Sequence, residues 1–219
     1  MNFDTIIFDL DGTLLNSLAD LADSVNYVLT QKGYPTRSYE EIKSFVGAGV
    51  KELILRSLPN GTDKNEVEVC LELFKDYYSK NVSMKTHPYE GVYPLLQELQ
   101  NKNIKMAIVS NKSDPDVQVL LEIFFKDYIT VAIGDRPDLQ KKPAPDSIYE
   151  VLRRLDFKSE KALYIGDTEV DIETAKNANL FSLSVTWGFR SEKDLLANGA
   201  EHLVHHPKEI LDFLHKEAY

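Results

Sequence analysis

The sequence predicts an α/β fold, a Rossmann-like parallel sheet core with an inserted α-helical cap. Several short apolar runs are rich in Ile, Val and aromatic residues, and their apolarity on both faces is typical of central parallel strands. Amphipathic segments with helical spacing alternate with these runs, which is the pattern of βαβ units. A long helical stretch separates the first run from the second, and this interruption predicts an insertion.

Outside this long helical stretch, strands and helices are predicted to alternate along the chain. The predicted strands cover residues 5–10, 105–110, 128–133, 162–166 and 180–185, with a weaker sixth at 202–204. The predicted helices cover residues 92–102, 116–125, 146–155, 169–178 and 208–216. Pro145 immediately precedes the third of these helices, and proline at this position favours a helix start.

The stretch between the first two strands is helical in pattern. Apolar residues recur at helical spacing in three segments, 17–31, 51–58 and 66–78. The chain leaves the core near Leu15 and returns near His87-Pro88, which is typical of a turn. We therefore expect a core formed by residues 1–15 and 86–219, and a helical cap formed by residues 16–85.

Charge and composition argue against several classes of partner. Among 219 residues, 35 acidic residues outnumber 25 lysines and arginines, so the formal net charge is −10. This charge argues against nucleic acid and against an anionic membrane surface as partners. The one cysteine, Cys70, cannot form an intrachain disulfide. Because no signal peptide or membrane-spanning stretch is evident, we expect a cytoplasmic protein.

Two acidic residues, Asp9 and Asp11, lie at the end of the predicted first strand, and Gly12 permits a tight turn after them. Ligands of open parallel sheets bind at the carboxyl ends of the strands. Residues two apart in a strand point to the same side, and two like charges so close repel unless a cation or a shared proton intervenes. This spacing therefore predicts a divalent cation at the site.

Polar residues also follow the other predicted strands. They are Ser110, Asn111, Lys142, Asp167 and Asp171. Together with Asp9, Asp11 and Thr13, these residues would place four carboxylates, two hydroxyls and a lysine at one edge of the sheet. Carboxylate oxygens suit Mg²⁺, and the lysine and hydroxyls suit the oxygens of a phosphoryl group.

At these residues the chain resembles the phosphatase branch of the haloacid dehalogenase superfamily. The four motifs of that superfamily stand in order as Asp9-Leu10-Asp11-Gly12-Thr13-Leu14, Val109-Ser110-Asn111, Lys142-Pro143-Ala144-Pro145 and Gly166-Asp167-Thr168-Glu169-Val170-Asp171. The inserted helices resemble the small α-helical cap of the family, and residues 87–92 resemble its hinge into the core.

The resemblance implies a two-step phosphoryl transfer. Asp9 would be the nucleophile and would form an aspartyl-phosphate. Asp11 would protonate the leaving oxygen and then deprotonate the hydrolytic water. Its presence favours phosphate esters, because the dehalogenase branch lacks this acid. Lys142 would neutralise the charge shared by Asp9 and the phosphate.

The resemblance also implies the groups that hold Mg²⁺ and the phosphoryl oxygens. The metal ligands would be the side chains of Asp9 and Asp167, the backbone carbonyl of Asp11 and, directly or through water, Asp171. The phosphoryl oxygens would be held by Thr13, Ser110 and backbone amides near Asn111.

The substrate implied by the resemblance is a small-molecule phosphate ester. Within the superfamily the chain is most similar to the phosphoglycolate phosphatase-like group, whose cap carries a glycine turn read here as Val46-Gly47-Ala48-Gly49. A glycine turn before a helix favours anion binding, so Gly47 is a candidate substrate-binding residue. Lys51 and Arg56 on the following helix would reach a distal carboxylate.

Four alternatives remain at this point. A phosphosugar mutase of the same superfamily would return the phosphoryl group to its substrate, and a pyrophosphatase or nucleotidase would use the same site. A receiver-type signalling module also gathers acids, a hydroxyl and a lysine, but it is shorter and lacks the cap. A non-catalytic scaffold would not need these residues. The sequence is compatible with a monomer or a homodimer.

Overall fold

A parallel sheet of six strands forms the centre of the computed structural model, which describes residues 3–156 and 161–216. The strands of the molecule are β1 (Thr5–Phe8), β2 (Leu15–Asn16), β3 (His87–Pro88), β4 (Lys105–Ser113), β5 (Val131–Asp135), β6 (Ala162–Gly166), β7 (Phe181–Val185) and β8 (Leu203–Val204). The central sheet has the order β5-β4-β1-β6-β7-β8. The predicted α/β fold with a parallel sheet is confirmed.

Ten α-helices surround this sheet or lie in the insertion within the described residues. They are α1 (Leu18–Gln31), α2 (Tyr39–Phe45), α3 (Val50–Ser57), α4 (Lys64–Asn81), α5 (Val92–Asn101), α6 (Asp114–Leu120), α7 (Asp146–Leu155), α8 (Glu169–Asn177), α9 (Glu192–Ala197) and α10 (Pro207–Lys216). A π-helical turn, Leu121–Phe125, continues α6. Within the described residues, no helix is long and apolar enough to span a bilayer.

Both faces of the sheet are covered, as the apolar strands require. Ile6 and Phe8 of β1 point into the larger core, whose helical members include Leu95, Val117 and Ile210. Ile7 points to the opposite face and packs with side chains that include Ile148 and Ala175. Because alternate residues of a strand face opposite sides, helices on both faces bury the whole of β1.

The register of the central strands brings their polar ends together. Phe8 of β1 pairs with Ile108 of β4 on one side and with Ile165 of β6 on the other. The three strands are therefore level at this point. The residues that follow them, including Asp9, Ser110 and Asp167, lie at the same edge of the sheet.

The four helices between β2 and β3 form the insertion. Leu15 pairs with Pro88 and Asn16 with His87 in a short antiparallel ladder, so the exit and the return of the chain lie side by side. The predicted division into core and cap stays a prediction. Residues 1–2, 157–160 and 217–219 of the predicted core lie outside the described residues.

Several element boundaries differ from the prediction for local reasons. β1 ends at Phe8 rather than at residue 10, because the carbonyl of Leu10 accepts turn hydrogen bonds from the amides of Leu14 and Leu15. β5 begins at Val131 rather than at residue 128, because the preceding amides donate to the carbonyl of Phe125. The helices α2 and α9 were not predicted.

Candidate active site

A small cavity lies at the carboxyl ends of β1, β4 and β6, beside the start of α3. Its volume is about 40 Å³. The strand ends and loops of the sheet contribute Asp9, Asp11, Ser110, Asn111, Lys112, Lys142, Thr168 and Asp171. The insertion contributes Leu21, Val46, Gly47, Gly49, Val50 and Leu53. One side of the cavity is therefore charged, and the other is mostly apolar.

Asp9 lies at the centre of the charged side. Its Oδ1 accepts a hydrogen bond of 2.6 Å from the Lys142 Nζ, and both side chains are buried. The same Nζ donates to Asp171 Oδ1 at 2.7 Å and to the Tyr164 hydroxyl at 3.0 Å. Burial raises the pKa of Asp9 to about 7, although the Lys142 charge opposes this shift. Lys142 thus holds two carboxylates whose charges repel each other.

Asp167 is fully buried and has no lysine partner among the described residues. Its oxygens accept hydrogen bonds from the Thr13 hydroxyl at 3.2 Å and from the amide of Phe189 at 2.7 Å. Burial raises the pKa of Asp167 well above its ordinary value, and the nearby charges of Asp9 and Asp171 raise it further. The ionised form of Asp167 is therefore poorly compensated by protein groups alone.

Two glycines make room for the Asp167 carboxylate. A Cβ at Gly12 or at Gly188 would overlap side-chain atoms of Asp167. Gly12 also has a φ of +93°, a conformation that side chains disfavour. The close approach of the first and fourth motifs depends on the lack of a side chain at these two positions.

Asp171 is oriented by hydrogen bonds to both of its oxygens. Oδ1 accepts from Lys142 and Tyr164, and Oδ2 accepts from the Thr168 hydroxyl at 2.7 Å and from two backbone amides. Although burial raises the pKa of Asp171, the Lys142 ammonium and these hydrogen bonds outweigh burial and lower it. Asp171 therefore stays ionised and fixes the position of Lys142.

Asp11 has a lysine partner of its own, Lys112. The Lys112 Nζ lies 3.0 Å and 2.8 Å from the two Asp11 oxygens, and 2.6 Å from the Tyr78 hydroxyl of α4. Sequence reasoning missed both Lys112 and Tyr78. Lys112 directly follows Ser110 and Asn111 and, because β4 extends to Ser113, it still belongs to the strand. The position of Lys112, next to the second motif, could have identified it as a site residue. No pattern in the sequence around Tyr78 indicates that Tyr78 contacts the site.

The loop before α3 is attached to the sheet by three polar side chains. Arg190 donates to the carbonyl of Val46 at 2.8 Å, Lys141 to that of Ala48 at 3.1 Å, and Asn111 to that of Gly47 at 3.3 Å. Gly47 and Gly49 have φ values of +128° and +93°, which explains the glycines of this turn. These contacts close the cavity on the side of the insertion.

The carboxylate cluster fits a divalent cation. Asp9, Asp167 and Asp171 each offer an oxygen, and these oxygens lie within 4.8 Å of one another. Together with Asp11, the cluster has four carboxylates, and among the described residues the ammonium groups of Lys112 and Lys142 form ion pairs with them. Ionisation of all six groups would leave two negative charges uncompensated. An all-oxygen donor set with this charge suits a hard cation such as Mg²⁺.

Comparison with known proteins places this site in a family. The sequence profile of haloacid dehalogenase-like hydrolases matches residues 6–185, a span that includes the motif residues from Asp9 to Asp171. The chain belongs to this family. The predicted family is confirmed, and this haloacid dehalogenase-like hydrolase is a phosphoric monoester hydrolase.

Three relatives illustrate the similarity. A phosphoglycolate phosphatase from Vibrio parahaemolyticus is 32% identical over 214 residues, which are 94% of each chain. A phosphoglycolate phosphatase from Aquifex aeolicus is 32% identical over 84% of this chain and 85% of its own. A crystal structure from Lactobacillus delbrueckii subsp. bulgaricus, provisionally named a phosphoglycolate phosphatase, is 34% identical. It superposes with a TM-score of 0.93 over 98% of this chain and 99% of its own.

The hydrolase brings most of the predicted site residues together. Asp9, Asp11, Gly47, Ser110, Asn111, Lys142 and Asp171 line the cavity, while Thr13 and Asp167 are hydrogen bonded to each other beside it. Asn111 donates to the carbonyls of Gly47 and Lys142. Its side chain therefore connects the loop before α3 to the loop that contains Lys142. Lys51 is not brought to the cavity, because its ammonium pairs with Glu68 on the surface. Arg56 is also exposed.

Proposed function

We propose that this hydrolase is a Mg²⁺-dependent phosphatase that acts on a small phosphate monoester, phosphoglycolate, through an aspartyl-phosphate on Asp9. The observation that carries the proposal is the position of Asp9. Its buried carboxylate lies between Lys142 and the other acids of the cluster, and it faces a cavity closed by the insertion.

The side chains of Asp9 and Asp167 and the backbone carbonyl of Asp11 would hold Mg²⁺. Asp171 would support the ion through water, because both of its oxygens already accept hydrogen bonds from protein groups. When bound, Mg²⁺ would neutralise the carboxylates and the phosphoryl oxygens, so that a negatively charged nucleophile can approach a negatively charged ester.

The residues of the site account for both steps of the reaction. In the first step an Asp9 oxygen attacks phosphorus, the bond to the leaving oxygen breaks, and Asp11 gives that oxygen a proton. In the second step Asp11 takes a proton from water, the water oxygen attacks phosphorus, and the Asp9 carboxylate is released. Lys142 holds Asp9 in place during both steps, because Asp171 and Tyr164 fix its ammonium.

Groups around the cavity would hold the phosphoryl oxygens. The hydroxyls of Thr13 and Ser110 and backbone amides near Asn111 are the donors at this edge of the sheet. In the structure the Thr13 hydroxyl donates to Asp167, and the Ser110 hydroxyl oxygen accepts from the Lys112 amide. Binding of a phosphoryl group would therefore require the Thr13 hydroxyl to change its acceptor.

The shape and polarity of the cavity support a short, anionic substrate. The insertion presents the apolar side chains of Leu21, Val50 and Leu53 to a cavity of about 40 Å³, which favours a short substrate. The first turn of α3 begins at this wall, and its backbone amides have no partners within the helix. A distal carboxylate would bind these amides rather than Lys51. The phosphoglycolate phosphatases among the relatives support the same substrate.

Phosphate release from a panel of esters tests the proposal. The panel contains 2-phosphoglycolate, pyrophosphate, sugar phosphates and nucleoside monophosphates, each measured with Mg²⁺ and with a chelator. We expect Mg²⁺-dependent release that is fastest with 2-phosphoglycolate and falls by at least about 10³-fold in Asp9→Asn. Asp23→Asn, at an exposed aspartate of α1, is the matched control and should retain full activity.

The other outcomes identify the alternatives. A preference for pyrophosphate or a nucleotide would contradict the proposed substrate but would still support the proposed active site. Phosphorylation of Asp9 without net phosphate release would favour the phosphosugar mutase. Release that is independent of Mg²⁺ or insensitive to Asp9→Asn would contradict the proposed mechanism.

A further inference from the structure

A buried chain of polar contacts connects the inserted helices to Asp11. Tyr78 lies on α4, Lys112 is the penultimate residue of β4, and Asp11 lies in the turn after β1. The Lys112 ammonium contacts the Tyr78 hydroxyl at 2.6 Å and both Asp11 oxygens at 2.8 Å and 3.0 Å. Three separate parts of the chain therefore meet at one nitrogen atom.

This contact is shielded from water. The Lys112 side chain is 2% exposed, and Tyr78 is 1% exposed. An ammonium has three N–H groups, and the two Asp11 oxygens and the Tyr78 oxygen account for all of them. The Lys112 nitrogen also lies 4.7 Å from the centre of the Tyr78 ring, and the Phe74 ring stacks with the Tyr78 ring at a centroid distance of 5.2 Å. These contacts together restrict the position of the Lys112 ammonium.

Asp11 itself is less constrained than the other acids of the site. Its side chain is 14% exposed, and within the described residues its carboxylate accepts hydrogen bonds only from Lys112. By contrast, Asp171 accepts from several donors, including Lys142 and Thr168. The direction of the Asp11 carboxylate therefore depends on where Lys112 is held, and Tyr78 helps to hold it.

We propose that Lys112 and Tyr78 are positioning residues that orient Asp11 for proton transfer, so that the acid is aligned when α4 is seated against the sheet. This inference rests on the proposed function, in which Asp11 is the proton donor and acceptor. Tyr78 acts through Lys112 and does not touch the reacting atoms. The contact links the closure of the insertion over the substrate to the alignment of the general acid.

The proposal predicts a dependence on the leaving group. An alkyl alkoxide needs a proton as it departs, whereas the p-nitrophenolate anion departs without one. A variant that misaligns Asp11 should therefore slow the first step with an alkyl phosphate and leave the first step with p-nitrophenyl phosphate unchanged. A general loss of folding or of phosphoryl binding would slow both esters equally.

The test is Tyr78→Phe, which keeps the ring and removes only the hydroxyl that meets Lys112. We expect the rate of the first turnover with 2-phosphoglycolate to fall by about 10-fold, a part of the roughly 10²–10⁴-fold that proton transfer contributes, with KM changed by less than about two-fold. The burst of p-nitrophenolate in the first turnover should stay within about two-fold of wild type. Tyr77→Phe, at the half-buried neighbour on α4, is the matched control and should change neither ester.

Lys112→Met is the second variant, and it keeps the test decisive if Tyr78→Phe does not fold. It should show the same selective loss with the alkyl ester, to a larger extent. Equal losses with both esters, a change confined to KM, or no change in either variant would overturn the positioning role. A wild-type enzyme that forms no phosphoenzyme from either ester would instead overturn the proposed function, and with it this inference.

Discussion

Individual charges determine the chemistry of the site. Asp9 and Asp171 contact the same Lys142 ammonium at 2.6 Å and 2.7 Å, yet their pKa values move in opposite directions. Burial dominates for Asp9, whereas Lys142 and other hydrogen-bond donors dominate for Asp171. The carboxylate proposed as nucleophile is thus the less compensated of the two, as expected for a group that also faces a cation and a substrate.

This difference predicts opposite effects of two conservative substitutions on stability. The pKa of Asp9 is raised from 3.8 to about 7, so the folded protein binds its proton more tightly and loses stability as pH rises through this range. In a chelator at pH 8, Asp9→Asn should therefore increase the free energy of unfolding, by on the order of 2–4 kcal/mol. The gain should shrink towards pH 4, and urea denaturation at both pH values measures it.

Asp171→Asn is the internal comparison. The lowered pKa of Asp171 contributes stability above its ordinary pKa, and this contribution is lost as pH falls. Asp171→Asn should therefore destabilise the protein at pH 8. Destabilisation by both substitutions at pH 8 would show that the Asp9 carboxylate is compensated in the absence of metal.

At the scale of secondary-structure elements, one buried side chain connects α1 to the segment that returns to the sheet. Asp20 of α1 is 3% exposed, and its carboxylate accepts hydrogen bonds from the amides of Lys85 and Thr86 and from the Thr86 hydroxyl at 2.7 Å. These residues precede β3, where the chain returns to the core. Asp20 therefore fixes α1 to the returning segment.

Replacement of this carboxylate should be costly. Asp20→Ala leaves the buried amide of Thr86 and its neighbours without an acceptor, and we expect a loss of about 2–4 kcal/mol in the free energy of unfolding. Asp23→Ala removes an exposed ion pair of 2.6 Å to Lys85, one turn away, and should cost less than about 0.5 kcal/mol. Equal losses in urea denaturation would contradict the role assigned to Asp20.

Most elements could be predicted from sequence because their residues are strongly periodic. The bounds of α7 and β6 match the prediction, since both segments are apolar at the spacing of their structure. By contrast, α2 and α9 bury only Ile42 and Leu195 respectively, so apolar spacing could not identify them. Their start signals, Ser38 and Ser191, are hydrogen-bonded caps that are also common in turns.

The site residues that lie at strand ends could be predicted from the sequence. Their hydrogen-bond partners from distant parts of the chain could not be predicted in the same way. Four motif residues (Asp9, Ser110, Asp167 and Asp171) meet because parallel strands end at one edge. The spacing of Asp9 and Asp11 indicated that their negative charges need compensation, but it could not show that each acid pairs with a different lysine. Tyr78 contacts Lys112 because the insertion packs against the sheet. A local sequence pattern does not predict this tertiary contact.

The whole molecule encloses its candidate active site between the sheet and the insertion. Arg190, Lys141 and Asn111 hold the loop before α3, and Tyr78 reaches Lys112 from α4. The cavity between them has a volume of about 40 Å³. Under the proposed mechanism, this arrangement would exclude bulk water while the acyl phosphate exists and would favour transfer to a positioned water molecule.

A covalent phosphoryl group on Asp9 is the central claim, and rapid acid quenching with peptide mass analysis tests it most directly. The measurement uses p-nitrophenyl phosphate, Mg²⁺ and Asp11→Asn, in which the second step should be slow because water activation is lost. The account predicts one added phosphoryl group on the peptide that contains Asp9, and none when Asp9→Asn is also present. Phosphorylation of a different residue, or release of p-nitrophenolate without any phosphoenzyme, would contradict it.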